Sequence, residues 1–244
     1  MHTTRQLTCS AVCLATLIVA VTPSARAADD ANSAAAKEQE LIAVLRSDAS
    51  GAEKAIACKG LAIYGSSKAV PALAKLLTNP QLSSWARIAL EVIPGDASDG
   101  ALREATDSLN GLLLVGTINS IGIREDAKAV DLLTKKLQAS DAEVASAAAV
   151  ALGHIGNDSA TKSLRAALAS ASAKVRSAVA EGCVLCAERL YRKGENVVAA
   201  EIYDEVRNAD VPKQRILEAT RGAILARSQK GIPLLLELFQ SQDK

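Results

Sequence analysis

Asp141-Ala-Glu-Val-Ala-Ser-Ala-Ala-Ala-Val-Ala-Leu-Gly-His-Ile-Gly156 is the stretch that decides the fold. It opens on polar residues, carries small apolar residues through its middle and stops on glycine. Apolar side chains recurring at i, i+3, i+4 and i+7 predict an amphipathic helix with one buried stripe. Ser140-Asp-Ala-Glu143 has the spacing of a capping box, in which a side-chain oxygen and a glutamate satisfy each other's free amides. The same design recurs on both sides, so the chain reads as a stack of copies.

Two kinds of helix alternate. The A type shows in Ala69-Val-Pro-Ala-Leu-Ala-Lys-Leu-Leu, Ala101-Leu-Arg-Glu-Ala-Thr-Asp-Ser-Leu, Ala129-Val-Asp-Leu-Leu-Thr-Lys-Lys-Leu, Ala160-Thr-Lys-Ser-Leu-Arg-Ala-Ala-Leu and Gly231-Ile-Pro-Leu-Leu-Leu-Glu-Leu-Phe. Their starts lie 32, 28, 31 and then 71 residues apart, the last gap holding an extra A-like helix near 198–206. Pro71 and Pro233 share a first-turn position, where a missing N–H costs nothing. The B type ends on Leu61-Ala-Ile-Tyr-Gly65, Leu90-Glu-Val-Ile-Pro-Gly95, Ile118-Asn-Ser-Ile-Gly122 and Leu152-Gly-His-Ile-Gly156. Glycine there is expected to adopt the left-handed cap conformation. A second capping box, Ser50-Gly-Ala-Glu53, opens an earlier B helix. Helical pairs of about thirty residues that cannot bury their own stripes define a solenoid. No strand pattern competes, and the predicted class is all-α: an α-α superhelix of about six helical pairs plus a C-terminal capping helix.

Composition agrees. The 244 residues include only three Tyr, one Trp and one Phe, too few rings for one closed core but enough for a thin two-layer stack. With 28 Lys and Arg against 27 Asp and Glu, the net charge of +1 gives no footprint for nucleic acid or an anionic membrane.

Residues 1–27 read as a signal peptide. Arg5 precedes an apolar run over residues 7–21, Pro23 ends it, and Ala25-Arg26-Ala27 has the small-x-small cleavage pattern. A run of 15 residues falls short of the roughly 20 that span a bilayer. Cleavage removes Cys9 and Cys13 and leaves a mature chain of net charge −1 with no membrane span. The mature protein is expected to be exported, periplasmic or extracellular. Residues 28–36 read as a short polar leader, 37–194 as regular repeats, and 195–244 as a variant repeat with a capping helix, continuous with the solenoid.

Asp141-x-x-Val144, Ala148-Ala149, Ala151-Leu152-Gly153 and Ile155-Gly156 closely resemble the second helix of a HEAT repeat, of the short bacterial type also seen in phycobilisome-lyase-like proteins. Ala69-Val-Pro-Ala-Leu resembles that repeat's first helix. The likeness runs from about Glu38 to the C-terminus and is strongest over 67–179. It departs at Ala145, where the family often has Arg, while Val175-Arg176 keeps that pair. The resemblance implies a superhelix whose B helices line a concave, partner-gripping face. It also suggests a partner among secreted carbohydrate-degrading proteins or, more remotely, a bilin-lyase-like activity. Beyond Ala187 the register changes. The fifth B helix should run on to about Gly194, and the pair over 197–227 has Ala-Glu-Ile-Tyr-Asp spacing similar to a tetratricopeptide-like unit.

Cys183-Val-Leu-Cys186 is the sharpest chemical motif, and its functional reading is a redox or metal-binding dithiol. Laying Val175 on Val144 places Cys183 on Leu152 and Cys186 on Ile155, both core positions, which favours packing. Cys58 falls on another packed position. Four repeats at 8–10 Å per helix put it about 35 Å from Cys183, against the roughly 7 Å a disulfide tolerates. His154 is the only histidine left after His2 is removed, and it cannot build a zinc site alone. No phosphate-binding glycine loop or nucleophile elbow occurs. Glu91, Asp99 and Glu104 read as solvated. No catalytic residue, cofactor or metal is expected. At 100° per residue, positions equivalent to 146, 147, 150, 153 and 154 face away from the A layer. That face holds Trp85, Ile88, Glu91, Asn119, Val150 and His154, a mildly apolar set suited to a protein partner.

Overall fold

The computed structural model describes residues 24–240. The apolar run at 7–21 and the last four residues lie outside them. Six helical pairs follow one another: α1 (Ser24–Arg46) with α2 (Gly51–Tyr64), α3 (Val70–Ala74) with α4 (Ser83–Val92), and α5 (Asp96–Ala105) with α6 (Gly111–Ile123). Then come α7 (Val130–Lys136) with α8 (Ala142–Ile155), α9 (Asp158–Leu168) with α10 (Ala173–Arg192), and α11 (Asn196–Arg207) with α12 (Lys213–Arg227). A lone helix, α13 (Ile232–Gln240), ends the stack. Among the described residues there is no strand. Odd-numbered helices are A type and even-numbered helices B type.

The B helices form one continuous layer, each packed on the next from α2 to α12. In the other layer α1 packs on α3, α3 on α5 and α7 on α9. Between the layers runs a single core. Leu61, Leu90, Ile118 and Leu152, each the residue that opens its B helix's terminal signature, are fully buried. Burying a side chain of that size contributes about 1.5–3 kcal/mol. Repetition of that rung is what binds pair to pair.

Local signals start and stop the helices much as expected, with instructive differences. Ser50 and Glu53 form the full capping box at α2: the Glu53 amide donates to Ser50 Oγ at 3.3 Å and the Ser50 amide donates to Glu53 Oε2 at 2.8 Å. At α8 the cap is Asp141, one residue after Ser140, and its Oδ1 accepts from the Glu143 amide at 2.9 Å. Of the four B-type glycines, Gly156 takes the left-handed cap, with φ +53°. Gly95 also has positive φ, but as the residue that opens α5. Gly65 is extended, and Gly122 lies inside α6. Both are required by space instead. A Cβ on Gly65 would lie 2.3 Å from the Leu61 carbonyl oxygen, and one on Gly122 would lie 2.8 Å from Ala151 Cα.

The rest of the B layer uses the same device. A Cβ on Gly153 would stand 2.6 Å from Gly182 Cα, and one on Gly182 would stand 2.6 Å from the Ala149 carbonyl oxygen. So α8 and α10 cross almost backbone to backbone. Positions 147 and 153, expected on the free face, are buried because B helices flank α8 on both sides: Gly153 stands at the α10 crossing, and Ala147 lies one turn from Ala151, which packs on Gly122 of α6.

The two ends of the stack differ from its middle. The polar stretch at 28–36, read as a leader, is helical and continuous with α1, which also takes in the small-x-small motif at 25–27. The helix α10 runs to Arg192, with Gly194 at φ +83° just beyond it, and packs on α8, α9, α11 and α12. The register break therefore seats the last pair against one long helix. Helix α13, expected to close the stack with a polar end, leaves Ile232, Leu235, Leu236 and Phe239 exposed.

Candidate partner-binding face

The outward surface of the B layer is where side chains meet solvent without an A helix above them. Among the residues expected there, Trp85, Ile88, Asn119 and His154 are exposed. Val150 is half-buried. Glu91 is also half-buried and tied down, with Ser120 Oγ donating to its Oε1 at 2.6 Å. Ser120 Oγ and the Gly116 carbonyl in turn accept from Arg87 Nη1, at 3.4 and 2.9 Å. Burial lowers the Arg87 pKa, and the nearby Glu91 carboxylate opposes that shift. This network fastens α4 to α6 beneath the surface. Gly116 makes it possible, since a Cβ there would sit 2.6 Å from Arg87 Cζ.

Sequence reasoning missed how far the apolar surface extends. On α2 it includes Ile56 and Ile63, on α4 Trp85, Ile88 and Val92, and on α6 Leu112 and Ile123, between 41% and 78% exposed. Ile56, Trp85 and Leu112 sit toward the N-terminal ends of their helices, and Ile63, Val92 and Ile123 at the C-terminal ends. The signal was available in the sequence. Each residue falls on the i, i+3/i+4, i+7 line opposite its helix's buried stripe. Exposed apolar groups on neighbouring elements mark contact surfaces far more than scattered ones do.

Further along the layer charge enters the face. The free faces of α8, α10 and α12 carry Ser146 and His154, then Lys174, Glu181, Glu188, Tyr191 and Arg192, then Gln214, Leu217, Arg221 and Leu225, mixing charged with apolar groups. His154 makes no ligand cluster; its carbonyl accepts from Arg189 Nη2 at 2.6 Å. Among the described residues no group of three or more His, Cys, Asp and Glu stands within reach of one metal ion.

The cysteine motif sits on the opposite side of α10, facing the core. Cys183 is 1% exposed and Cys186 fully buried, and both are free thiols. Burial pushes both thiols up, with the neighbouring Cys186 adding to the rise at Cys183. A thiol held in the neutral form is a poor nucleophile and a poor metal ligand. Cys58, also buried, is pushed up to about 11 for the same reason. The packing assignment is correct for all three.

Besides Glu91, Asp99 was expected to be solvated and is structural. Asp99 pairs with Arg124 Nε. The same guanidinium caps α4, donating through Nη1 to the carbonyls of Leu90 at 2.7 Å, Glu91 at 3.0 Å and Ile93 at 2.7 Å. A cation at a helix C-terminus satisfies orphan carbonyls and complements the helix dipole. Glu104 is exposed as expected.

Residues 99–183 match the family model for HEAT repeats. The matched stretch runs from within α5 to Cys183 in α10 and supports a HEAT-repeat solenoid. Two crystal structures of engineered proteins are similar. One has 20% identity and a TM-score of 0.45, covering 80% of this chain and 97% of the other. The second has 22% identity and a TM-score of 0.46, covering 90% of this chain and 67% of the other. No curated protein matches the chain. Among the described residues no helix is long and apolar enough to cross a membrane.

Proposed function

We propose that this solenoid is an exported scaffold, without catalysis of its own, that holds a protein partner on the free face of its B helices. The observation that carries the reading is the apolar surface shared by α2, α4 and α6. Eight large side chains, Tyr64 with the seven named above, stand exposed on three successive B helices, among them the chain's one tryptophan. Protein interfaces are depleted in charge and enriched in aromatic residues at their centres, and Trp is prominent among their energetic anchors. The Arg87–Ser120–Glu91 network holds α4 and α6 rigid beneath that surface, which lowers the ordering cost of binding. Export is supported by the apolar run at 7–21 and the small-x-small motif that follows it.

Photo-crosslinking tests this. A photoreactive residue at position 88 or 119 is expected to capture one discrete protein from the envelope or medium of the producing cell. The same residue at Lys162, exposed on the A helix α9, is the control. Equal capture from 88 and 162, or none from 88 and 119, would overturn the proposal.

A further inference from the structure

At the other end of the same face, a cleft of about 220 Å³ opens between α10 and α12. Tyr203 reaches it from α11 although only 3% of that residue is exposed. The ring gets there because α12 carries Gly222 at the crossing: a Cβ at that position would stand 2.3 Å from Tyr203 Cε1. A glycine notch in one helix thus admits an aromatic ring from the other layer, and Tyr191 supplies a second ring at the rim. Burial first, and then the Glu188 carboxylate, raise the Tyr203 phenol to about 12. It therefore stays protonated and able to donate.

The charged groups around it are unequally occupied. Glu218 is already engaged, accepting from Arg215 Nη1 at 2.7 Å and from Gln214 Nε2 at 3.1 Å. Arg192 spends only its Nε, on the Glu188 carbonyl at 3.3 Å. Arg221 makes no hydrogen bond or ion pair among the described residues. Two guanidinium forks and a phenol therefore leave donors unspent, against one unspent acceptor group, the Glu188 carboxylate. The ligand this favours is rich in acceptors, and planar carboxylates match the guanidinium fork. Glu188 sets the limit, since a doubly charged group would meet its repulsion. Size sets another: pockets for free small molecules usually run from about 300 Å³ upward, so this cleft suits one side chain of a larger molecule.

We infer that the α10–α12 cleft is a carboxylate subsite, taking an aspartate or glutamate side chain of the protein held on the same face. The protein as the source of that carboxylate rests on the function proposed above. The partner then carries an apolar segment against α2–α6 and an acidic group beyond it, which fixes its direction along the solenoid.

The test needs no partner. N-acetyl-glutamate methylamide is titrated into the full protein while the arginine Nε–Hε resonances are followed by NMR, with the glutamine analogue and inorganic phosphate run in parallel. The expected result is a saturable shift confined to Arg192 and Arg221, absent with the glutamine analogue. Arg221→Gln should weaken it about tenfold, the scale of one charged hydrogen bond. Both arginines are exposed, so the variant should fold normally. No saturable shift, equal shifts at all arginines, or a stronger response to phosphate would overturn the assignment. A positive titration without crosslinking from position 88 would keep the carboxylate site and discard a protein as its source.

Discussion

Helices α4 and α10 are both B helices of one stack, yet they face solvent with different chemistry. The free face of α4 shows Trp85, Ile88 and Val92, whereas that of α10 shows Lys174, Glu188 and Arg192 around a single ring, Tyr191. Their buried sides are alike in kind, Ala86, Ala89 and Leu90 in one and Val179, Ala180 and Cys183 in the other. Packing fixes one side of each helix and leaves the other free to vary. In a quasi-one-dimensional fold, where each pair contacts only its neighbours, that freedom lets binding chemistry change along the stack without cost to the core. The cysteines illustrate the converse. Their residue type suggests chemistry, but they stand on the side that packing owns.

The strongest way to break this contrast is to put a side chain where α8 and α10 cross. Gly153→Leu is expected to cost about 3 kcal/mol or more, because the collision is with backbone that has nowhere to move. His154→Ala, one residue further on the free face, should change stability by no more than about 0.5 kcal/mol. Urea denaturation of the two variants side by side checks both.

Arg124→Ala is next. Its guanidinium is nearly buried and serves three carbonyls at the end of α4 as well as Asp99. Its loss should destabilise by about 2 kcal/mol, with amide exchange rising first in α4 and α6.

Alkaline pH gives a smaller, graded effect. The Cys58 thiol is raised from its ordinary 9 to about 11, so the unfolded chain loses that proton first. Its contribution is complete below about pH 9 and is lost as pH rises through about 11. Denaturation midpoints should therefore be level up to about pH 9 and then fall. Cys58→Ala should remove part of that slope, the remainder belonging to Cys183, Cys186 and Tyr203, which shift in the same direction.

Much of the fold was legible because it rests on periodicity. The recurring Leu61, Leu90, Ile118 and Leu152 positions, the caps and the overlong α10 all follow from spacing that one helix dictates to the next. What spacing does not encode is the approach of one helix to another. The glycines looked like caps, and only Gly156 proved to be a left-handed one; Gly65 and Gly122 are there to let neighbours close. No local spacing marks Arg124 as a helix cap, because its carbonyl partners lie 31–34 residues away. On the outward face, Trp85, Ile88, Asn119 and His154 were legible from the projection of one helix, and the B helices on both sides of α8 explain why positions 147 and 153 were not free. The α10–α12 cleft was invisible, since it needs Tyr203 from the other layer and the Gly222 notch to form.

The smallest expected change in stability accompanies the largest in binding. Under the proposed function, the apolar half of the B face is a binding surface and not part of the core. Trp85→Ala, measured for both folding and affinity toward the protein captured from position 88, tests it most directly. The expected result is a stability within about 0.5 kcal/mol of the parent and an affinity loss of about thirtyfold or more, the scale of an interface anchor. A variant that loses stability by several kcal/mol, or binds that protein as tightly as the parent, would contradict it.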